Sequence, residues 1–375
     1  MKKLLYIAPV ILNHVKPNGV GKKIIGQVHS FSKSYNTSLV SYSDSGLLEF
    51  SDMQYSSIKH TSSFRRLAMY FYVFNKVIRD RIDYVYIRYH LADPVYVFLL
   101  FILRALGCKI AIEIPTYPYA NSFDSRFVSY IKLWVDKLSY PFLRFCVGRI
   151  ITYSSDEEIF GIPTVKTLNG IDFSKEKMVT KLFDEKLKTI NLISVSMTYS
   201  CHGYDRIIKG LSTYYKKTRD IKVCFHIVGK GDEIPKLKAL TTKLGMESYV
   251  MFDGFQTGED LDALYANSDM AINSLGIHRI GLKTESTLKA KEYCAKGLPV
   301  VSSYPLDSLS SEDNSRYVCF VPADDSEVDI EKLVTFYLNL QKEPDYHYKI
   351  REKSSRICDM DKTLEKVRDF YNNSK

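Results

Sequence analysis

The chain has 375 residues, of which 45% are hydrophobic and 25% are charged, and its net charge is +9. This composition excludes a disordered or collagen-like chain, because it supplies enough apolar surface for sizeable cores. The length favours two domains over one.

Strand-like and helix-like segments alternate through the first half. This alternation is typical of a parallel sheet with helices on both faces. The predicted strands are Lys3–Ile11, Thr37–Tyr42, Tyr84–Tyr89, Lys109–Ile114 and Ile150–Tyr153. The predicted helices are Lys22–Tyr35, Phe64–Arg79, Pro94–Leu106 and Arg126–Val147, with a turn at Asn18–Gly21 before the first.

The second half restarts this alternation after a charged, polar stretch at 173–188, which is the predicted linker. The predicted strands are Thr189–Ser196, Lys222–Val228, Val250–Phe252 and Met270–Asn273. The predicted helices are Asp205–Lys216, Ile234–Leu244, Asp260–Asn267 and the final Lys362–Asn373. Two doubly wound halves without a sequence repeat are therefore expected.

Seven cysteines are scattered without a Cys-x-x-Cys spacing, which predicts reduced thiols in a cytosolic protein. The apolar run after Lys2 and Lys3 is followed by no small-residue cleavage site, so we interpret it as a strand. The longest apolar run, Val95–Leu103, is about half of what a spanning helix needs, and predicts a soluble or peripheral protein. No His-Glu-x-x-His or paired-cysteine ligand pattern occurs in the sequence.

The segment from position 284 to 302 is the most informative part of the sequence. Glu285 and Glu292 are seven residues apart, so on a helix both carboxylates point the same way. Gly297 then ends the helix before an apolar strand. A carboxylate here can accept the hydroxyls of a ribose, and nearby cations can meet a diphosphate, although a solvated helix face remains the alternative. The candidate cations are Arg279, Lys283 and Lys289.

This segment resembles the donor-binding signature of family-4 glycosyltransferases of the GT-B fold. In that family a Glu-x7-Glu pair precedes a Gly-Leu-Pro-Val-like strand. Glu292 falls on the second glutamate, which holds the ribose, whereas Thr284 stands at the first and Glu285 follows one residue later. Segments 274–279 and 288–293 resemble a subset associated with bacterial capsules and exopolysaccharides.

Further motifs of the family occur in the expected order. They are Asn169–Asp172, Val228–Asp232 and Tyr265–Asp269. The family's Arg and Lys-Gly at the diphosphate are replaced by Ser196 and by His202-Gly203. The resemblance therefore assigns donor binding to Glu292, Thr284, Lys283, Arg279, His202, Gly203, Gly229, Lys230 and Lys289. Arg206 is a further candidate at the diphosphate, but its helix spacing favours an ion pair with Asp205 or with neighbouring glutamates.

The resemblance implies a GT-B fold, in which two Rossmann-like doubly wound domains face each other across a cleft. The expected domains are 1–172 for the acceptor and 189–350 for the nucleotide sugar, with a helix in 351–375 packing back on the first domain. It also implies transfer of a sugar, with retention and without a metal or resident cofactor, from a nucleoside-diphosphate sugar, most often UDP- or GDP-linked. The acceptor is expected to be a glycan, and a lipid-linked one in surface polysaccharide synthesis.

The first half offers fewer candidate site residues. A turn before the first helix, Gly19, Val20, Gly21 and Lys22, is expected to bind the acceptor through backbone amides. The family's histidine in this domain is absent, and His90 after the preceding strand is the candidate substitute. We assign the catalytic positions to His90 and Glu285, with Glu113 as an alternative polar group.

Cations and aromatic residues alternate in segments 59–81 and 126–149. A basic aromatic surface suits an anionic membrane, which would place the protein at the inner face of the cell membrane. The same surface suits nucleic acid in principle, but no RNA- or DNA-binding motif is present, so no nucleic-acid partner is expected. Two other functions stay open: a GT-B-shaped sugar-nucleotide epimerase, and a non-catalytic binding protein that retains the fold.

Overall fold

The structure is a computed structural model that describes residues 1–15, 17–51, 54–59, 64–119, 127–181, 184–217, 220–282 and 286–373. Its contacts divide the chain into two compact units. The first unit comprises Met1–Asn169 and Met360–Lys375, and the second comprises Gly170–Asp359. Each unit contains one main sheet with helices against it, which confirms the predicted α/β class with two Rossmann-like sheets.

The first sheet has nine strands in the order β4-β3-β2-β1-β5-β6-β7-β9-β8, and its central strands are parallel. Their bounds are β1 Lys3–Ile11, β2 Asn36–Ser43, β3 Gly46–Ser51, β4 Gln54–Lys59, β5 Tyr84–Arg88, β6 Lys109–Ile114, β7 Arg149–Thr152, β8 Glu158–Ile159 and β9 Ile162–Lys166. The second sheet has six parallel strands in the order β12-β11-β10-β13-β14-β15. They are β10 Thr189–Met197, β11 Lys222–Lys230, β12 Val250–Gly254, β13 Met270–Ile272, β14 Val300–Ser302 and β15 Val318–Phe320.

Thirteen α-helices occur among the described residues, and two lie at the end of the chain. The helices of the first 169 residues are α1 Gly19–Ser32, α2 Arg65–Asp80, α3 Pro94–Ala105 and α4 Phe127–Ser139. Those of the second unit are α5 Tyr204–Tyr214, α6 Ile234–Lys243, α7 Gly258–Ala266, α8 Leu288–Ala295, α9 Ser311–Tyr317, α10 Ile330–Leu340 and α11 Tyr346–Cys358. The terminal pair is α12 Met360–Thr363 and α13 Glu365–Asn372.

The residues of β1 alternate between two cores of the first unit, as strand geometry requires. Leu5 packs in the core that contains α2 and α3. Tyr6 packs in the core that contains α1 and α13. The central strands are therefore covered on both faces, which explains why they read as continuous apolar runs.

Several predicted boundaries are wrong. The helix predicted at Arg126–Val147 ends at Ser139 and continues as a 3-10 segment, Tyr140–Phe145. Pro141 explains the change, because its nitrogen has no hydrogen to donate to the preceding turn. The antiparallel strands β3 and β4 were not predicted, and neither were any of the elements between 303 and 345.

The segments that connect the units contact specific partners. Val179, within the predicted linker, is buried, and its amide donates to the Lys296 carbonyl at 2.8 Å, so this stretch packs in the second unit. Beyond α11 the chain enters the first unit. There the Tyr371 hydroxyl of α13 donates to the Val85 carbonyl at 2.8 Å.

Candidate functional site

The carboxyl ends of β10 and β11 lie side by side at a turn that only glycine fits. Gly229 has φ of 135°, and a Cβ added there would lie 1.9 Å from the Ser196 oxygen. At Gly231, φ is 156°, and an added Cβ would lie 2.2 Å from the Thr198 oxygen. The Thr198 amide donates to the Lys230 carbonyl at 2.8 Å. The two strand ends are thus in backbone contact. A side chain at either glycine would prevent this contact.

His202 lies in the loop after β10, and its tautomer is fixed. Its Nδ1 accepts a hydrogen bond from the Tyr199 amide at 3.0 Å, so in the neutral ring the proton is on Nε2. Its ring stacks on Tyr204 with centroids 5.3 Å apart. Burial, and then the charge of Lys289, lower the pKa of His202 to about 3. At neutral pH this residue is therefore an uncharged hydrogen-bond donor, unlike the lysine that the family has there.

The loops after β10 and β13 are bonded to each other through their backbones. The Leu275 amide donates to the His202 carbonyl at 2.9 Å, and the Gly276 amide donates to Cys201 at 3.1 Å. Gly203 has φ of 64°, and a Cβ added there would lie 2.9 Å from the Gly276 nitrogen. Gly203 therefore serves the close approach of two loops, a role that the sequence does not reveal.

Arg279 is held by carboxylates. Its guanidinium donates to both oxygens of Asp205, at 2.9 and 3.1 Å, and to Asp325 at 2.6 Å. It also donates to the Ser200 carbonyl at 2.9 Å. Asp205 in particular holds the pKa of Arg279 above its usual value. Two carboxylates already compensate this charge, so a role at a diphosphate stays a prediction that needs this cluster to rearrange.

Arg206 does not pair with Asp205, contrary to the prediction. Its buried guanidinium donates to three backbone carbonyls, those of Leu275 at 2.5 Å, Ser326 at 2.7 Å and Pro322 at 2.9 Å. The buried positive charge thus ties together the loops that follow β13 and β15. Periodicity could not reveal this role, because the partners are carbonyls from distant segments.

Helix α8 carries two of the predicted donor-binding residues. It begins at Leu288, after its N-cap Thr287, so it starts later than the prediction of a helix through Glu285 and Glu292. The Lys289 Nζ lies 5.8 Å from the Tyr204 ring centroid, which brings Lys289 and the His202 loop together. Three residues later, Glu292 is half-buried.

Tyr265 is a neighbour of the Glu292 carboxylate. Burial, and next the charge of Glu292, raise the pKa of Tyr265 well above its usual value. Lys283, Thr284 and Glu285 lie outside the described residues, so their predicted roles stay predictions.

The predicted acceptor-binding residues form the first turn of α1. Asn18 is the N-cap, and its side chain accepts from the Gly21 amide at 2.9 Å. Gly19, Val20 and Lys22 are exposed. An exposed helix N-terminus suits a hydroxyl or a phosphate, and the acceptor-binding role of these residues stays a prediction.

His90 follows β5 and is held in an aromatic environment. Its Nε2 lies 3.3 Å from the Tyr70 hydroxyl, and its ring centroid lies 5.3 Å from that of Tyr96. Burial, and then the charge of Arg66, lower the pKa of His90 to about 3. His90 is therefore neutral near pH 7, and its catalytic role stays a prediction.

A buried ionic cluster at the carboxyl end of β6 was largely missed by the sequence analysis. Glu113 is fully buried and accepts from Lys23 at 2.7 Å, Tyr153 at 2.7 Å and Arg88 at 3.1 Å. Lys23 also donates to Asn169 at 2.7 Å. The second carboxylate oxygen accepts from Tyr86, Tyr6 and Gln27. The helical periodicity of the buried positions in α1 is the signal that could have placed Lys23 inside.

The described residues contain no cluster of potential metal ligands. Within the described ranges, no group of three or more His, Cys, Asp or Glu side chains is placed to hold a metal ion.

Comparison with known proteins places this geometry in context. Residues 190–339 match the family described as "Glycosyl transferases group 1". No curated protein matches the chain significantly in sequence. The matched region contains the β10 and β11 ends, the His202 loop and α8, so these features lie in the part of the chain that is similar to this family. The prediction of a glycosyltransferase enzyme is confirmed.

Solved structures share the fold over nearly the whole chain. Sucrose-phosphate synthase (tll1590) from Thermosynechococcus elongatus has a TM-score of 0.66 at 13% identity, over 99% of this chain and 98% of that one. Anabaena Alr3699/HepE in complex with UDP has a TM-score of 0.65 at 14% identity, over 100% of both chains. WaaG, a glycosyltransferase of lipopolysaccharide biosynthesis, has a TM-score of 0.58 at 13% identity, over 99% of this chain and 100% of that one. The GT-B fold is therefore confirmed.

Proposed function

We propose that this chain, whose residues 190–339 form a glycosyltransferase domain, moves a sugar from a nucleoside-diphosphate sugar to a glycan acceptor, with retention. One observation carries the proposal. The matched domain brings the glycine turn after β11, the neutral donor His202 and the cation Lys289 to neighbouring loops. Hydrogen-bond donors and a fixed cation are what a departing diphosphate needs.

The proposed donor is a UDP-sugar, with a GDP-sugar as the next choice. The Anabaena protein of the same fold binds UDP and UDP-glucose. In our assignment the Glu292 carboxylate accepts hydrogen bonds from the ribose hydroxyls. His202 and Lys289 donate hydrogen bonds to diphosphate oxygens. His90 and Glu285 remain the proposed catalytic positions. The nucleotide sugar is a co-substrate, and the proposed reaction uses no metal and no resident cofactor.

The proposed acceptor is a lipid-linked glycan. We expect this type of acceptor because the sequence resembles family-4 enzymes that build bacterial capsules and exopolysaccharides. Residues Gly19, Val20, Gly21 and Lys22 of the first unit are its proposed contacts. We place the protein in the cytoplasm at the inner face of the cell membrane. All seven cysteines are free, and six of them are buried, which agrees with a reducing compartment.

Calorimetric titration of the protein with UDP, GDP, ADP, CMP and dTDP tests the donor assignment, with EDTA present. One nucleotide should bind, and Glu292→Gln should weaken it roughly tenfold to hundredfold, because charge-assisted hydrogen bonds to the ribose contribute about 1.5–3 kcal/mol. The exposed Glu247→Gln is the matched control and should bind as the parent does. An unchanged dissociation constant in Glu292→Gln contradicts the ribose assignment.

Product analysis then separates the remaining functions. A glycosyltransferase releases the nucleoside diphosphate only as the acceptor gains a sugar. An epimerase instead changes the sugar of the donor without needing an acceptor. Nucleotide binding with neither product would make the chain a non-catalytic binding protein.

A further inference from the structure

The outer surface of α2, α3, α4 and the segment 140–145 exposes large aromatic side chains. We call this surface the aromatic face and define it by Phe71, Phe98, Trp134, Leu138, Phe142 and Phe145. Helix α2 packs against α3, and both α3 and α4 contact the segment 140–145, so these elements are neighbours in the first unit. The aromatic face is therefore drawn from four neighbouring elements of the first unit.

The exposure of these side chains is high for their size. Phe71 is 71% exposed, Phe98 is 65% exposed and Trp134 is 63% exposed. The opposite sides of the same elements are already used, since Val73 and Leu100 pack in the core. Single exposed apolar residues need no explanation, but several large exposed rings on neighbouring elements indicate an interaction site.

The charges on these elements have one predominant sign. Only two acids, Asp80 and Asp136, occur in α2, α3, α4 and the segment 140–145. Asp136 is buried and accepts from the Ala92 amide at 2.5 Å, and Asp80 pairs with Lys76 at 2.7 Å and with Arg79 at 2.8 Å. Besides Arg79, which pairs with Asp80, the exposed cations are Arg65, Arg104, Lys132, Lys137 and Arg144. The aromatic face therefore presents apolar rings among positive charges, with the acids engaged internally.

We propose that the aromatic face docks on an anionic phospholipid bilayer, with its rings in the interfacial region and its cations against lipid phosphates. Charge complementarity selects this partner, because a second copy of the chain would bring the same cations together. No described helix is both long and apolar enough to cross a membrane, so the docking is at the surface. Rings and cations together supply the two forces that hold interfacial helices on anionic lipid.

The structure also corrects which residues of the two basic segments take part. Lys76 is buried and bonded to Glu49 at 2.6 Å, and Tyr70 is buried in the core. Neither can meet lipid. Helix α3, which the sequence analysis did not include in the basic segments, contributes Phe98 and Arg104.

Trp134 is the only tryptophan of the chain and lies on the aromatic face, so its fluorescence reports docking directly. The full chain is titrated with vesicles of phosphatidylglycerol and, separately, of phosphatidylcholine. We expect the emission to shift to shorter wavelength with phosphatidylglycerol alone. Added salt should reverse the shift, because it screens the cations. The measurement needs neither donor nor acceptor, so its result is independent of the proposed sugar transfer.

Substitutions separate the contributions of rings and charges. Phe71→Ser and Phe98→Ser should each weaken vesicle binding roughly tenfold, by removing an apolar ring from the interface. Lys132→Gln should weaken it about fivefold, the effect of one cation near an anionic surface. Tyr348→Ser and Lys342→Gln, exposed in the second unit, are matched controls and should bind as the parent does. Circular dichroism checks folding, and Lys132→Gln keeps the test decisive if an aromatic variant does not fold.

Four results would overturn the proposal. They are an unchanged emission, an equal shift with phosphatidylcholine, a shift that appears without lipid as protein concentration rises, and a shift reproduced by polyuridylate. The third result would identify a second copy as the partner, and the fourth would identify nucleic acid.

Discussion

Each unit buries a charged side chain near the carboxyl edge of its sheet, and the two units compensate that charge in opposite ways. In the first unit, Glu113 is neutralised by side chains, above all by Lys23 and Arg88. In the second, the guanidinium of Arg206 is satisfied mainly by backbone carbonyls, with Asp324 3.6 Å away. The first arrangement depends on the charge of a few partners. The second depends on the path of the loops, and those loops carry the candidate donor site.

The partners of Glu113 determine its protonation state. Burial alone would raise the pKa of Glu113, but Lys23 and Arg88 lower it to about 2. The carboxylate is therefore ionised at neutral pH and needs its cations. Through Lys23 the cluster also holds Asn169, the last residue of the first stretch of the first unit.

The largest expected effect comes from removing the charge of Glu113. Glu113→Gln leaves the buried Lys23 and the largely buried Arg88 without a counter-charge, and should cost about 3–5 kcal/mol of unfolding free energy. Urea denaturation followed by circular dichroism measures it. The control is Glu157→Gln, in an exposed ion pair with Lys166, which should cost less than about 1 kcal/mol. Equal losses in the two variants would contradict the role assigned to the buried charge.

An intermediate effect is expected at Arg206. Arg206→Met keeps the length of the side chain but leaves the carbonyls of Leu275, Ser326 and Pro322 without their donor, at a cost of about 2–3 kcal/mol. Because these carbonyls belong to loops of the matched domain, nucleotide affinity should fall as well. The same denaturation and calorimetry apply.

The control at this position is the exposed Arg356→Met, whose ion pair with Glu352 lies within one helix. It should leave both quantities nearly unchanged. If Arg206→Met loses no stability, the guanidinium does not hold the loops.

The smallest effect is a pH dependence that histidines of both units contribute, and burial lowers the pKa of His347 in the second unit as well. The pKa values of His90 and His202 are lowered from 6.5 to about 3, so each binds a proton more readily when unfolded. Their contribution is complete above pH 6.5 and is lost as the pH falls towards 3. Each should cost about 1 kcal/mol between pH 6 and pH 5.

Urea denaturation at those two pH values measures this loss. His202→Gln, which keeps an amide donor, should remove the His202 contribution of about 1 kcal/mol. His14→Gln, at an exposed position of the first unit, is the control. A slope that His202→Gln leaves unchanged would show that His202 titrates normally in the folded protein.

Much of the fold was predictable because local patterns encode it. Apolar runs such as those of β1, β6 and β10 marked strands buried on both faces, and Gly229 and Gly231 marked a turn that requires glycine. The hairpin of β3 and β4 was missed, since both strands are short and β3 pairs antiparallel with β2, outside the expected parallel pattern. The break at Pro141 was missed, since the apolar spacing continues through it.

The sequence alone determined the two α/β halves, the glycosyltransferase signature around Glu292 and the excess of positive charge, because each of these depends on neighbouring residues or on composition. Only the tertiary structure decided the surroundings of individual charges. It placed Lys23 inside with Glu113, Arg206 among carbonyls, Arg279 between two carboxylates and Trp134 at the surface. The physical reason is that the energy of a charge or a ring depends on burial and on partners far apart in the chain, which local periodicity does not contain.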